Sequence, residues 1–143
     1  RPRCYRPGKA TGRVLGGTLS LVSKLVGTPY MPRLDGAILF LEDVREAPYR
    51  VDGYLAHLRL AGVFARVAGV ILANWKRCSA RSRGSLGLDR IFRDYFSRAR
   101  CPVAAGFPFG HQDPMFTLPQ GVLATLDAGR GSLVLHEAAV TER

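Results

Sequence analysis

Residues Ala37-Ile38-Leu39-Phe40-Leu41 form an unbroken apolar run that ends abruptly in Glu42-Asp43. A short apolar run with no polar interruption describes a strand covered on both faces. Such strands belong to α/β architectures, in which ligands gather beyond the C-terminal ends of the strands. Two carboxylates stand at that end here. Glu46 follows, and Pro48 suits the first turn of a helix. Acids crowded this closely oppose each other's ionisation unless a cation or an exchanging proton lies beside them. The turn therefore calls for a cationic partner from elsewhere in the chain.

The surrounding sequence mixes helical and strand signals, which predicts a mixed α/β fold. Residues 1–12 are basic, carry Pro2, Pro7 and Gly8, and read as a linker or incoming crossover outside the core. A short strand then runs into a tight turn at Gly16-Gly17. A helix follows over Thr18–Val26, with Thr18 as its cap and Gly27 as its stop. A second helix is expected from Pro48 to about Leu60, with Val51, Leu55 and Leu58 on one face and Gly62 beyond its end. Val67–Leu72 reads as a strand, Asn74–Leu86 as a loop, Leu88–Phe96 as an amphipathic helix and Pro102–Ala105 as a third strand. Val122–Leu126 and Ser132–Leu135 make a hairpin around Asp127–Gly131.

With 143 residues the chain can bury one real core. No apolar run approaches the roughly 20 residues that span a bilayer, and no apolar segment follows the basic N-terminus as a secretory signal would require. The chain starts without Met, and we expect a piece of a longer protein or a processed product. Its formal net charge is +10. Two clusters carry much of it, namely Arg1, Arg3, Arg6, Lys9 and Arg13, and Lys76, Arg77, Arg81 and Arg83. Phe and Tyr do not interleave with them as a stacking platform would require, and no nucleic-acid motif accompanies them. They read as solvated surface, with neither nucleic acid nor membrane as the expected partner. Cys4, Cys78 and Cys101 are too scattered for a zinc site and suit a reducing cytosol, and Cys101 reads as a small buried hydrophobe.

His111 is the cation that best answers Glu42. It closes Gly106-Phe107-Pro108-Phe109-Gly110-His111, a glycine-bracketed loop just past a buried strand. Were the two strands neighbours, the side chains would meet at one sheet edge. A carboxylate on one imidazole nitrogen fixes the tautomer and stabilises the imidazolium, leaving the other nitrogen to take a proton. His57, on a helix, and His136, on a terminal strand, read as surface or packing residues. The nucleophile is the gap. None of Ser20, Ser23, Ser79, Ser82, Ser85, Ser97 and Ser132 lies in a nucleophile elbow. Gly16-Gly17 lacks the further glycine and lysine of a phosphate loop and reads as close backbone packing.

Several blocks occur together and in order: Gly8-Lys9-Ala10-Thr11-Gly12-Arg13-Val14-Leu15-Gly16-Gly17, Gly27-Thr28-Pro29, Ile38-Leu39-Phe40-Leu41-Glu42-Asp43, Pro48-Tyr49-Arg50-Val51-Asp52, Leu58-Arg59-Leu60-Ala61-Gly62, Phe109-Gly110-His111 and Thr117-Leu118-Pro119-Gln120-Gly121. Over nearly the whole chain they resemble the C-terminal half of the LD-carboxypeptidases. These are serine peptidases that include the muramoyl-tetrapeptide carboxypeptidases and the microcin C self-immunity peptidase. The resemblance implies a swivelling β/β/α-type domain over residues 13–143, with an N-terminal domain supplying the serine and oxyanion hole. It makes Glu42 and His111 the acid and base of a Ser-Glu-His triad, with no metal or cofactor. It further implies release of terminal D-alanine from murein tetrapeptide, in the cytoplasm, by a homodimer. Thr18 departs from the asparagine usual after the glycine pair. Glu46 and Arg50 read as a charge pair that fixes the turn, whereas Asp43 stays open between that role and substrate contact. Two alternatives stand beside this reading: a microcin C-type amide hydrolase of the same family, and a non-catalytic basic binding module. The short Thr28–Ala37 segment favours the cell-wall substrate over the microcin type.

Overall fold

The computed structural model describes residues 2–80 and 86–140. Its middle strand is the run read first, now β3 (Ile38–Val44), which extends through both carboxylates. Around it lie β2 (Lys9–Thr18), β4 (Gly69–Lys76) and β5 (Val103–Ala105), parallel to one another, with β1 (Arg3–Arg6), β6 (Leu123–Asp127) and β7 (Ser132–Leu135) added antiparallel. The order across the seven-stranded sheet is β1-β5-β4-β3-β2-β6-β7.

Strand alternation divides the core into two layers. Leu39, Leu41, Val70, Leu72 and Val103 face the helices α1 (Leu19–Leu25), α2 (Pro48–Leu60), α3 (Val63–Arg66) and α4 (Leu88–Phe96), meeting Leu19, Val51, Leu55, Leu58, Val63, Ile91, Phe92 and Phe96. Ile38, Phe40, Ile71 and Ala104 face the other way and share a cluster with Ala124 and Leu126 of β6. Strand β6 is four places from β5 in the sheet, so the sheet curls over itself into a half-barrel. A methyl group on Gly69 of β4 would lie 3.2 Å from Leu126 Cδ2, which shows how tightly the curl closes.

The expected helices and hairpin are present, with Pro48 opening α2 and Gly62, at φ +73°, just past its end. Three expectations are corrected. Residues 3–6 and 9–12, read as linker, are strand: β1 is an exposed edge, where basic side chains are well tolerated, and β2 crosses the sheet. The glycine pair is not a turn but the end of β2. There the missing side chain of Gly16 lets the backbones of β2 and β3 approach, because a methyl on it would sit 1.9 Å from the Phe40 carbonyl oxygen, whereas one on Gly17 would meet nothing within 4 Å. Strand β4 runs on to Lys76, into the stretch expected as loop, because it pairs with the extended end of β3. Arg1, Arg81, Arg83, Ser82 and Ser85 lie outside the described residues. Among the described residues no helix is long and apolar enough to cross a membrane.

Candidate active site

Strand β3 delivers Glu42 to the C-terminal rim of the sheet, where it is only 3% exposed. A buried carboxylate needs donors, and two elements provide them. Thr18 is its parallel neighbour at the end of β2, and the Thr18 hydroxyl donates to Glu42 Oε1 over 2.6 Å. His111 donates from Nδ1 to the other oxygen, Oε2, over 2.7 Å.

The histidine arrives by a longer route than neighbouring strands would need. Strand β4 lies between β3 and β5. The loop after β5 bridges it: the Gly106 N–H bonds the Leu72 carbonyl, Phe107 is buried, and Phe107 stacks on Phe109. Gly110 then passes directly over Glu42. Its φ is +89°, and a methyl there would lie 2.7 Å from both Cγ and Oε2 of the carboxylate. Beyond the histidine, Gln112 accepts a hydrogen bond from the Asn74 amide. Asn74 stands where the β3–β4 register slips between Leu41 and Asp43, a bulge next to the site.

His111 remains about half exposed, with its side chain at 52% against 5% for Glu42. Among the described residues Nε2 has no hydrogen-bond partner. With Nδ1–H donating to a carboxylate, Nε2 carries the free lone pair and can accept a proton from an approaching hydroxyl. The imidazole lines a cavity of about 690 Å³ with Val44, Arg45, Lys76, Arg77, Gln112 and Met115.

The other acids of the turn have different partners. Asp43, 2% exposed, accepts the backbone N–H of Ser20 at 2.9 Å and that of Val44 at 2.9 Å. It thereby caps α1. Thr18, expected as that cap, makes no side-chain cap hydrogen bond because its hydroxyl is held by Glu42. Glu46 and Arg50 form an ion pair at 3.5 Å across the first turn of α2. Cys78 is buried beside these acids. Burial, reinforced by Asp43, pushes its thiol above the ordinary range, which disfavours a nucleophilic thiolate. Cys101 is buried too, and burial raises its thiol likewise.

His57 bonds Ser23 through Nδ1 at 2.9 Å, but Ser23 is 3% exposed, so this pair ties α1 to α2. His136 bonds Thr125 on the hairpin. Among the described residues no three His, Cys, Asp or Glu side chains converge as metal ligands. Sequence reasoning passed over Thr18 as a partner of Glu42 and Gly110 as its cover. The available signals were a hydrogen-bonding residue directly after the glycine pair, and a glycine directly before the histidine.

Comparison with known proteins places this geometry in context. Residues 11–126 match the family model described as the LD-carboxypeptidase C-terminal domain. A probable murein peptide carboxypeptidase of Bacillus subtilis is 35% identical over 137 residues, covering 95% of this chain and 43% of that protein. The structure of the microcin immunity protein MccF with glutamyl sulfamoyl guanosine superposes with a TM-score of 0.86 at 29% identity, over 98% of this chain and 42% of that one. A muramoyltetrapeptide carboxypeptidase from Oxalobacter formigenes gives 0.81 at 29% identity, over 94% and 48%. The chain thus spans less than half the length of each of these relatives.

Proposed function

The chain belongs to the LD-carboxypeptidase family, as its C-terminal domain, and from that premise we propose that it completes a serine peptidase triad with Glu42 and His111. The observation that carries the reading is the 2.7 Å bond between a buried carboxylate and a half-exposed imidazole that lines a cavity. The nucleophile comes from an N-terminal domain of the same protein, which accounts for the greater length of the relatives. Its serine hydroxyl attacks the carbonyl of the last, L,D peptide bond of a murein tetrapeptide. His111 Nε2 takes the hydroxyl proton as the C–O bond forms, and Glu42 stabilises the resulting imidazolium. His111 then gives that proton to the nitrogen of the departing D-alanine as the C–N bond breaks. Water repeats the cycle and frees the acyl group. Asp43, Glu46 and Arg50 hold the turn and take no part in proton transfer. We place the reaction in the cytoplasm, in cell-wall recycling, and expect a homodimer.

The test is hydrolysis of tetrapeptide by the full-length protein. Glu42→Ala and His111→Ala are each expected to lower kcat by about 10²–10⁴-fold. Near-normal turnover in either variant refutes the assignment. A second reading, the microcin C-type amide hydrolase acting on an aminoacyl-sulfamoyl nucleoside, has its own support in the superposition on MccF, whose structures hold glutamyl sulfamoyl guanosine and aspartyl sulfamoyl adenosine. It predicts the same losses with such a nucleoside as substrate and no release of D-alanine from tetrapeptide.

A further inference from the structure

The cavity beside His111 carries a concentration of positive charge to which the triad gives no role. Strands β3 and β4 lie side by side, with Val44 paired to Lys76, and both end at the cavity. Each is followed by an arginine with left-handed backbone, Arg45 at φ +59° and Arg77 at φ +59°. The Arg45 N–H donates to the Lys76 carbonyl, which locks the two ends together. Glycine adopts this conformation freely and arginine does not. Two adjacent strands therefore hold the same strain, with the same residue, at the mouth of one cavity. Strain of this kind gathers at ligand-binding sites.

The three cations are also uncompensated among the described residues. Among the described residues no carboxylate forms an ion pair with Arg45, Lys76 or Arg77. The nearby acids have other partners: Glu42 holds Thr18 and His111, Asp43 holds two backbone N–H groups, and Glu46 pairs with Arg50. A solvent-exposed cluster with net positive charge, in a cavity that Val44 and Met115 also line, suits an anion carrying a small apolar group.

Building on the triad reading above, we propose that Arg45, Lys76 and Arg77 bind the free C-terminal carboxylate of the peptide substrate and so restrict cleavage to its last bond. In a substrate cut at the last bond, that carboxylate lies one residue from the scissile carbonyl. It must therefore fall close to His111, and this cluster shares the histidine's cavity. The two arginines are specificity-determining residues, with no part in moving the proton.

Glycine is the informative replacement, because Arg45→Gly and Arg77→Gly remove the charge while relieving the backbone. The full-length protein is assayed on two peptides ending in D-alanine, one a free acid and the other its C-terminal amide. The wild type should prefer the acid. Each glycine variant should raise KM for the acid about tenfold, leave the amide unchanged, keep the pH profile of kcat, and melt no lower than wild type. Arg45→Lys should recover part of the preference. Equal cleavage of acid and amide by the wild type overturns the inference, as do glycine variants that cut both peptides as the wild type does, or both equally badly. If the wild type cleaves neither peptide, the triad reading fails instead, and the cluster is judged by binding alone. Calorimetric titration with acetyl-D-alanine, acetyl-D-alanine amide and adenosine monophosphate then decides. Arginine-dependent binding confined to the first supports the inference. Binding of the nucleotide but not the acid, or of none, overturns it.

Discussion

Replacing Thr18 by valine removes one hydroxyl and little else. Valine keeps the branched shape at the end of β2, and α1 does not lose its cap, because Asp43 supplies it. What disappears is the 2.6 Å donor to Glu42 Oε1. The carboxylate side chain is 5% exposed, so water cannot take the place of the hydroxyl. A hydrogen bond to a charged group contributes about 1.5–3 kcal/mol, and an abandoned buried acceptor sits at the upper part of that range. We expect Thr18→Val to lower stability by about 2.5 kcal/mol, read from the midpoint of urea unfolding at unchanged slope. The source of the loss is checked by a cycle with Glu42→Gln. The neutral amide still accepts from Thr18 but as an ordinary hydrogen bond, so the two substitutions should couple by about 1 kcal/mol. A loss below about 0.5 kcal/mol, or strict additivity with Glu42→Gln, refutes the claim that Thr18 holds the carboxylate.

Gly110→Ala places a methyl 2.7 Å from Glu42 Cγ and Oε2 at a φ of +89°. It should abolish the hydrogen-bonded Nδ1 proton of His111 in the NMR spectrum and lower stability by about 1–2 kcal/mol from backbone strain alone. An intact proton signal contradicts the close approach described. Tyr95 donates to Asp52 Oδ1 at 2.9 Å, and burial, assisted by that carboxylate, pushes its phenol up to about 12. A raised phenol pKa favours the folded state while the group is protonated. Its contribution is therefore complete below about pH 10, the ordinary value, and lost as the pH climbs towards 12. Tyr95→Phe should remove that alkaline decline in stability, together with one late-ionising tyrosine in an absorbance titration.

The parts of this fold visible in the sequence are those set by local patterns. The apolar run ending in Glu42-Asp43, the Pro48 helix start, the Leu88–Phe96 amphipathic stretch and the Asp127–Gly131 turn each act over a few residues. Residues 3–12 escape a sequence reading because β1 is an edge strand, which needs no apolar alternation, and the first residues of β2 pair with β6 before β2 reaches β3 at Val14. Arg3, Arg6 and Lys9 can all face water there while the backbone still pairs. The pairing of Glu42 with His111 was anticipated for a partly mistaken reason. The strands are not adjacent, and contact depends on a loop that crosses β4 and is fastened by Phe107, Gly110 and the Asn74–Gln112 bond.

The exchange of roles between Thr18 and Asp43 shows why some of the site stays hidden until the sheet is assembled. From sequence, threonine after a glycine pair and before an apolar helix is a cap, and the aspartate beside the glutamate stays open between fixing the turn and meeting substrate. Parallel register sets Thr18 opposite Glu42 and so draws the hydroxyl to the carboxylate. The orphan N–H groups of α1 then need another acceptor, and Asp43, the next residue along β3, is within reach. One strand pairing thus assigns both side chains at once. It leaves Glu42 with a donor on each oxygen, so the carboxylate is held from two sides and the imidazole it orients is fixed by the sheet as much as by its own loop.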